Sequence, residues 1–162
     1  MFQFKSALCL AAICALCQTS SYADEYLEPD EIFWLPAKAR QDLALRGCSV
    51  PTNIDGIYVS GVVTGQFAVA GQLDLAVICA TEDEDFIFVY WGGEMKCASE
   101  LSSFGEGLSV VGEHYILQQY YAYGGDKPPK IEHEAINDHV IGKASVVRYC
   151  NDGSWIELTG GD

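Results

Sequence analysis

Beyond residue 56, hydrophobic and polar positions follow strand periodicity almost throughout. Residues 57–63, 75–80, 86–91, 114–123, 144–150 and 154–159 are each rich in Val, Ile, Tyr, Phe or Trp and are bounded by Gly, Asp, Asn or Pro. That is the pattern of strands ended by turns. In residues 86–91 both alternating faces are apolar, which places this strand in the middle of a sheet. Residues 82–85 (Glu-Asp-Glu-Asp) form the expected tight end of a hairpin. Asn151-Asp152-Gly153 joins the last two strands, with Gly153 able to supply the positive φ such a turn needs. One stretch departs from the pattern. Residues 37–46 are Ala, Leu, Arg, Lys and Gln with one Asp, preceded by Pro36 and followed by Gly47, which predicts a short helix. Residues 24–30 read as a loose acidic lead-in. A lone hairpin is unstable in water, so the strands must share one sheet or two packed sheets. The expected fold is mainly β, an antiparallel meander with one short N-terminal helix, and no internal repeat stands out.

Residues 1–23 change the compartment. Lys5, an apolar run of 11 residues from Ala7 to Cys17, and small residues at Ser21 and Ala23 make a secretory signal peptide, with a single β-rich domain in residues 24–162. The run is too short for a bilayer anchor, which needs about 20 residues, and no later segment is long and apolar enough to insert. Cleavage would remove Cys9, Cys14 and Cys17, and with them the only C-x-x-C. Cys48, Cys79, Cys97 and Cys150 remain. In an exported chain four cysteines most simply form two disulfides, with three connectivities open. Cys48–Cys79 with Cys97–Cys150 is preferred, tying the helix end to a core strand and joining two later strands. The alternative, a metal site, lacks any close ligand pair.

Charge narrows the partners. Removing residues 1–23 takes Lys5 and none of the 23 acids, leaving eight bases and a net charge of −15. Such a surface repels nucleic acid and anionic membranes and attracts basic proteins or cations. The same acidity would also serve simply to keep a secreted protein soluble.

One segment carries a family likeness. Residues 65–77, Gly-Gln-Phe-Ala-Val-Ala-Gly-Gln-Leu-Asp-Leu-Ala-Val, have the skeleton G-x-F-x3-G-x2-D-L-A-V, which resembles the FG-GAP (integrin-propeller) repeat. In that repeat a calcium loop leads into a buried strand. The ligand positions of the repeat fall here on Gln66, Ala68, Ala70 and Asp74. Only one is a carboxylate, whereas calcium takes about six to eight oxygen ligands. The resemblance therefore implies a turn and a buried strand without the metal, with Asp74 hydrogen-bonding the loop backbone. It covers about a tenth of the chain and implies no propeller. A looser succession, Arg46-Gly-Cys48-Ser-Val-Pro51, then residues 65–79, then Lys143-Ala-Ser-Val-Val-Arg-Tyr-Cys150 and Gly153-Ser-Trp155, resembles a group of small exported bacterial proteins. It implies export and a β fold, and no particular activity.

Catalytic signals are sparse. Residues 132–139 (Glu-His-Glu-Ala-Ile-Asn-Asp-His) superficially resemble the zinc-protease H-E-x-x-H. But Asn137 stands four after His133, and the two histidines would diverge on a helix or lie about 20 Å apart on a strand. A polar hydrated loop is the expected structure there. Gly107-Leu-Ser109-Val-Val lacks the second glycine of a nucleophile elbow, although a triad assembled in space from His114, Asp138 and a serine stays open. Surface recognition has the better candidates. Tyr120, Tyr121 and Tyr123 lead into Gly124, Gly125 and Asp126, and tyrosines favour interfaces. The alternative is that they pack on the sheet. The loop of residues 99–107, with Ser102 and Ser103, is small and polar enough to insert into a cleft, or merely to connect strands. The expected function is a non-enzymatic periplasmic or secreted binding protein without a cofactor. It would be an acidic inhibitor or immunity-type protein against a basic cell-wall hydrolase. The alternatives are a small hydrolase using His114 or His133, or a structural module of an envelope complex.

Overall fold

The computed structural model describes residues 26–52, 59–124 and 127–161. The signal-peptide segment, the start of the strand expected at 57, Gly125 and Asp126 lie outside them. Of the ten strands among the described residues, eight form two antiparallel meanders. The first contains β3 (Val62–Gly65), β4 (Asp74–Ala80), β5 (Asp85–Tyr90) and β6 (Glu100–Ser102), adjacent in that order. The second contains β7 (Gly107–Val111), β8 (Ala135–Val140), β9 (Ala144–Asn151) and β10 (Ser154–Gly160). A two-stranded pair, β1 (Tyr26–Leu27) with β2 (Val50–Pro51), flanks α1 (Ala37–Leu45), and α2 (Glu113–Gln119) runs between β7 and β8. The fold is mainly β, antiparallel, with two helices and two disulfides.

Alternation along the strands explains the layering. On β4, Leu75, Val77 and Cys79 meet Ile32, Leu35, Ala39 and Leu43 of the N-terminal segment. The opposite face, Ala76 and Ile78, packs with Ile87 and Val89 of β5 against Leu108 and Ile136 of the second sheet. The outer face of that sheet, with Ala135, Val147, Tyr149 and Leu158, is covered by Ile116 of α2. The order is helix, sheet, sheet, helix. Both faces of β5 are buried, as expected from its sequence, and β4 and β6 flank it. At one margin the sheets touch through Leu108 N–H donating to the Ser60 carbonyl at 2.8 Å. At the other, Trp155 stacks on Trp91 at 5.9 Å and donates its indole N–H to the Ala98 carbonyl at 2.9 Å.

The disulfides are Cys48–Cys79 and Cys97–Cys150. The first holds the chain just beyond α1 to β4. The second ties β9 to the connection between β5 and β6, so it crosslinks the two sheets rather than two strands. Loops of 31 and 53 residues correspond to roughly 3–4 kcal/mol each in the loop-entropy model. The last hairpin turns at Asp152 and Gly153, with φ of 48° and 85°, the two positive values a type I′ turn requires.

In the expected loose lead-in Tyr26–Leu27 pairs as β1 and Pro29–Glu31 forms a 3-10 turn, and of the strand expected over 57–63 the described part starts only at Val62. Two longer segments differ more. Residues 114–123 are not a strand: they form α2 and a wider π-helical turn, Tyr120–Gly124. Gly112 caps the helix in an extended conformation and Glu113 sits in its first turn. Ile116, Gln119 and Tyr120 recur at helical spacing and bury against the sheet, which outweighs the β propensity of Tyr and Ile. Residues 132–139 are not a hydrated loop either. Most of them form β8, an interior strand. Its polarity is real but internal: Asp138 is 0% exposed, and Arg148 on the neighbouring β9 is 5% exposed.

These two make an ion pair between neighbouring strands of the second sheet, on its face towards the first. Arg148 Nη1 lies 2.8 Å from Asp138 Oδ2, its Nη2 donates to the Ser102 carbonyl at 2.9 Å, and its Nε donates to Glu157 at 3.1 Å. Asp138 also accepts from Phe104 N–H at 3.0 Å and from the Ser103 hydroxyl. The crossing strap passes so close that a side chain at Gly105 would collide with the Asp138 carboxylate and the His139 backbone. Removing one partner leaves a buried charge unpaired. Arg148→Met is expected to cost about 3–5 kcal/mol in chemical denaturation. Glu157→Gln, at a side chain 59% exposed, is expected to cost under about 1 kcal/mol. Similar small losses in both variants would contradict the buried pair.

Candidate functional site

The segment of residues 65–77 is a turn between β3 and β4, closed by the pairing of Gly65 with Asp74. Asp74 is 1% exposed. Its Oδ2 accepts from Phe67 N–H at 2.9 Å and Ala68 N–H at 3.0 Å, and its Oδ1 from Gln72 Nε2 at 2.7 Å and Gly92 N–H at 2.9 Å. Phe67 is fully buried below it. Both carboxylate oxygens are thus spent on four donors, and the loop is shaped by hydrogen bonds.

Beside this turn, α1 and the outer face of the first sheet enclose a groove of about 640 Å³. Phe88 and Tyr90 of β5 reach it because even positions of that strand face α1, while Trp34 and Leu73 form its lips. Trp34 is 50% and Leu73 68% exposed. On the helix side, Asp42 Oδ2 accepts both the Tyr90 hydroxyl at 3.0 Å and Arg46 Nε at 3.2 Å. The Arg46 guanidinium lies 4.3 Å over the Phe88 ring and 3.8 Å from Glu100. Burial, and then donation to Asp42, pushes the Tyr90 phenol far above its ordinary pKa, so it stays a hydrogen-bond donor. An apolar groove with a few converging polar groups is the usual anatomy of a ligand site.

A second cleft, of about 630 Å³, lies between residues 68–70 and the end of the β9–β10 hairpin. There His133 stacks on Tyr149 at 4.5 Å, and the Tyr149 hydroxyl accepts from Glu132 N–H at 3.0 Å and donates to the Lys130 carbonyl at 3.2 Å. The three histidines do not converge. His114 is exposed on α2, His133 precedes β8, and His139 sits on β8 beside Gly107.

The sequence-predicted recognition residues divide. Tyr121 and Tyr123 are 65% and 64% exposed, whereas Tyr120 packs into the core beneath α2. Gly124 ends the turn. Residues 99–107 are not a free loop: Glu100–Ser102 is β6, the Ser102 carbonyl accepts from Arg148, and the Ser103 hydroxyl turns to Asp138. The tyrosines and the serines therefore serve opposite faces of the second sheet. Sequence reasoning missed the groove. Its one available signal was Trp34, an indole just before the helix-opening Pro36 and outside every apolar strand.

No known family model matches the chain, and no curated protein or solved structure is significantly similar to it.

Asp74→Asn replaces two acceptor oxygens by one and sets an amide N–H₂ against backbone donors. A loss of about 2–3 kcal/mol is expected, with calcium leaving the wild-type melting temperature within about 1 °C. A clear calcium-dependent rise in Tm would show instead that the turn binds the ion.

Proposed function

We propose that this chain is a non-enzymatic, exported binding protein, an acidic inhibitor or immunity-type protein that engages a basic protein such as a cell-wall hydrolase. The observation that carries the reading is the fate of its cations. Of the eight cations after residue 23 four are paired, Arg148 with Asp138 and Glu157, Arg46 with Asp42 and Glu100, Lys96 with Glu94 and Lys130 with Glu132, and only Lys38, Arg40, Lys127 and Lys143 have no salt bridge among the described residues. Acids such as Glu82, Asp83 and Glu84 are exposed and have no salt bridge among the described residues. The field facing a partner is negative, which steers a basic protein and speeds its encounter. Tyr121 and Tyr123 offer exposed aromatic contact area after α2. The dispersal of the three histidines supports a binder over a hydrolase.

The test is inhibition of purified basic cell-wall hydrolases by the protein at low and high salt. Inhibition is expected at low ionic strength and should weaken as salt passes about 0.1 M, where the Debye length is about 10 Å. Tyr121→Ala with Tyr123→Ala is expected to weaken binding by roughly tenfold. Absence of binding at low salt would overturn the reading, and salt-indifferent binding would remove its electrostatic basis.

A further inference from the structure

We propose that the groove between α1 and the first sheet binds a neutral saccharide. The proposal goes beyond the acidic-surface reading and does not depend on it. Trp34 is the first reason. The other two indoles are committed, Trp91 Nε1–H to the Ser99 hydroxyl at 2.8 Å and Trp155 Nε1–H to the Ala98 carbonyl. Trp34 has no hydrogen-bond partner among the described residues and stands half exposed at the mouth of the groove. An indole presents an apolar face with a polar edge, and the C–H face of a pyranose covers the first while its hydroxyls reach the second.

Asp42 is the second reason. Both of its bonds fall on Oδ2, from Tyr90 and Arg46. Oδ1 is left without a partner among the described residues, on a carboxylate already held in orientation. The guanidinium of Arg46, with five N–H donors, stands beside it. A neighbouring acceptor and donor suit a hydroxyl, which gives and takes a hydrogen bond at once.

Charge decides among ligands. Around the groove Asp42 and Glu100 are offset by Arg46 and Lys38, and the Asp74 carboxylate in its lining is buried and spent on four N–H donors, so the exposed charges of this site balance in a strongly acidic chain. A cationic side chain would meet Lys38 and Arg46, and an anion would meet Asp42 and Glu100. A purely apolar segment would cover Asp42 Oδ1, the Trp34 N–H and the Arg46 donors without pairing them, at the cost of burying unsatisfied polar groups. A neutral polyol avoids all three penalties, and the groove's volume lies within the range of small-molecule sites.

The purified protein would be titrated with N-acetylglucosamine, cellulose-type and maltose-type tetrasaccharides, followed by calorimetry and by the NMR signals of the three indole N–H groups. Saturable binding of at least one, with Kd of about 1 mM or tighter, is expected, with the Trp34 signal shifting and that of Trp155 unmoved. Trp34→Ala and Asp42→Asn should each weaken binding roughly tenfold or more, while Lys130→Ala, in the other cleft, should leave it unchanged. Near-UV circular dichroism identifies folded variants, and the wild-type indole shift carries the test where a variant does not fold. The proposal is overturned if no saccharide saturates by about 10 mM or if the Trp34 signal stays silent on binding. It is equally overturned if only a lysine-rich peptide moves that signal.

Discussion

Asp138 and Arg148, paired within the second sheet, reach the first through Ser102 and the strap of residues 103–104, and the cost of burying them explains much of the surrounding geometry. Taking each charge out of water costs several kcal/mol, which their mutual attraction offsets only when the remaining hydrogen-bonding groups are also satisfied. That requirement draws in Phe104 N–H, the Ser103 hydroxyl, the Ser102 carbonyl and Glu157. Strands β6, β8, β9 and β10 therefore converge on one guanidinium. The strap between the sheets must pass directly over Asp138, and only glycine fits at 105. With the inner faces committed in this way, the outer faces are free to be covered by α1 and α2.

The strands visible in the sequence were those apolar on both faces and the last two, β9 and β10, which the Asn151-Asp152-Gly153 turn marks off. Residues 75–80 and 86–91 keep Val, Ile, Leu and Phe on alternate sides, and β4 and β5 lie there almost residue for residue. The cysteine pairing was also accessible, because a helix end and a core strand have little choice of neighbour. β8 was hidden by Asn137, Asp138 and His139. A buried charge looks like a solvated one until its partner is known, and Arg148 lies ten residues further on and one strand across. α2 was hidden for the opposite reason: its Tyr and Ile have β propensity, but the face they bury recurs every three to four residues. The groove was legible least of all, since it is assembled from residues 34, 42, 46, 73, 88 and 90 on four separate segments.

In the turn of residues 65–77 one carboxylate organises the loop through N–H donors. Asp74 gathers N–H groups from Phe67, Ala68 and Gly92 and the Gln72 amide, donors for which a cation would be no substitute. Gln72 in turn holds residue 94 through both ends of its amide, with Nε2 donating to the Glu94 carbonyl and Oε1 accepting from Glu94 N–H. The chain is thereby held near Cys97, the anchor of the inter-sheet disulfide. Turn, hairpin end and disulfide form one continuous support beneath Leu73, at the lip of the groove.

Two kinds of selectivity then occupy different faces. The exposed tyrosines lie on the α2 side of the second sheet, and the groove lies on the α1 side of the first, with two sheets between them at a packing distance of about 10 Å. Surface acidity acts over a Debye length and falls with salt, so it governs which proteins approach. Over the groove the exposed charges of Asp42, Glu100, Arg46 and Lys38 balance and the buried Asp74 carboxylate is held by its four donors, so that site responds to shape and hydrogen-bonding pattern instead. A partner on one face and a small ligand on the other do not compete for the same residues. Any coupling between them would have to pass through the packed inner faces and the Arg148 cluster, whose three guanidinium hydrogen bonds resist adjustment. The architecture therefore favours independent occupancy of the two faces.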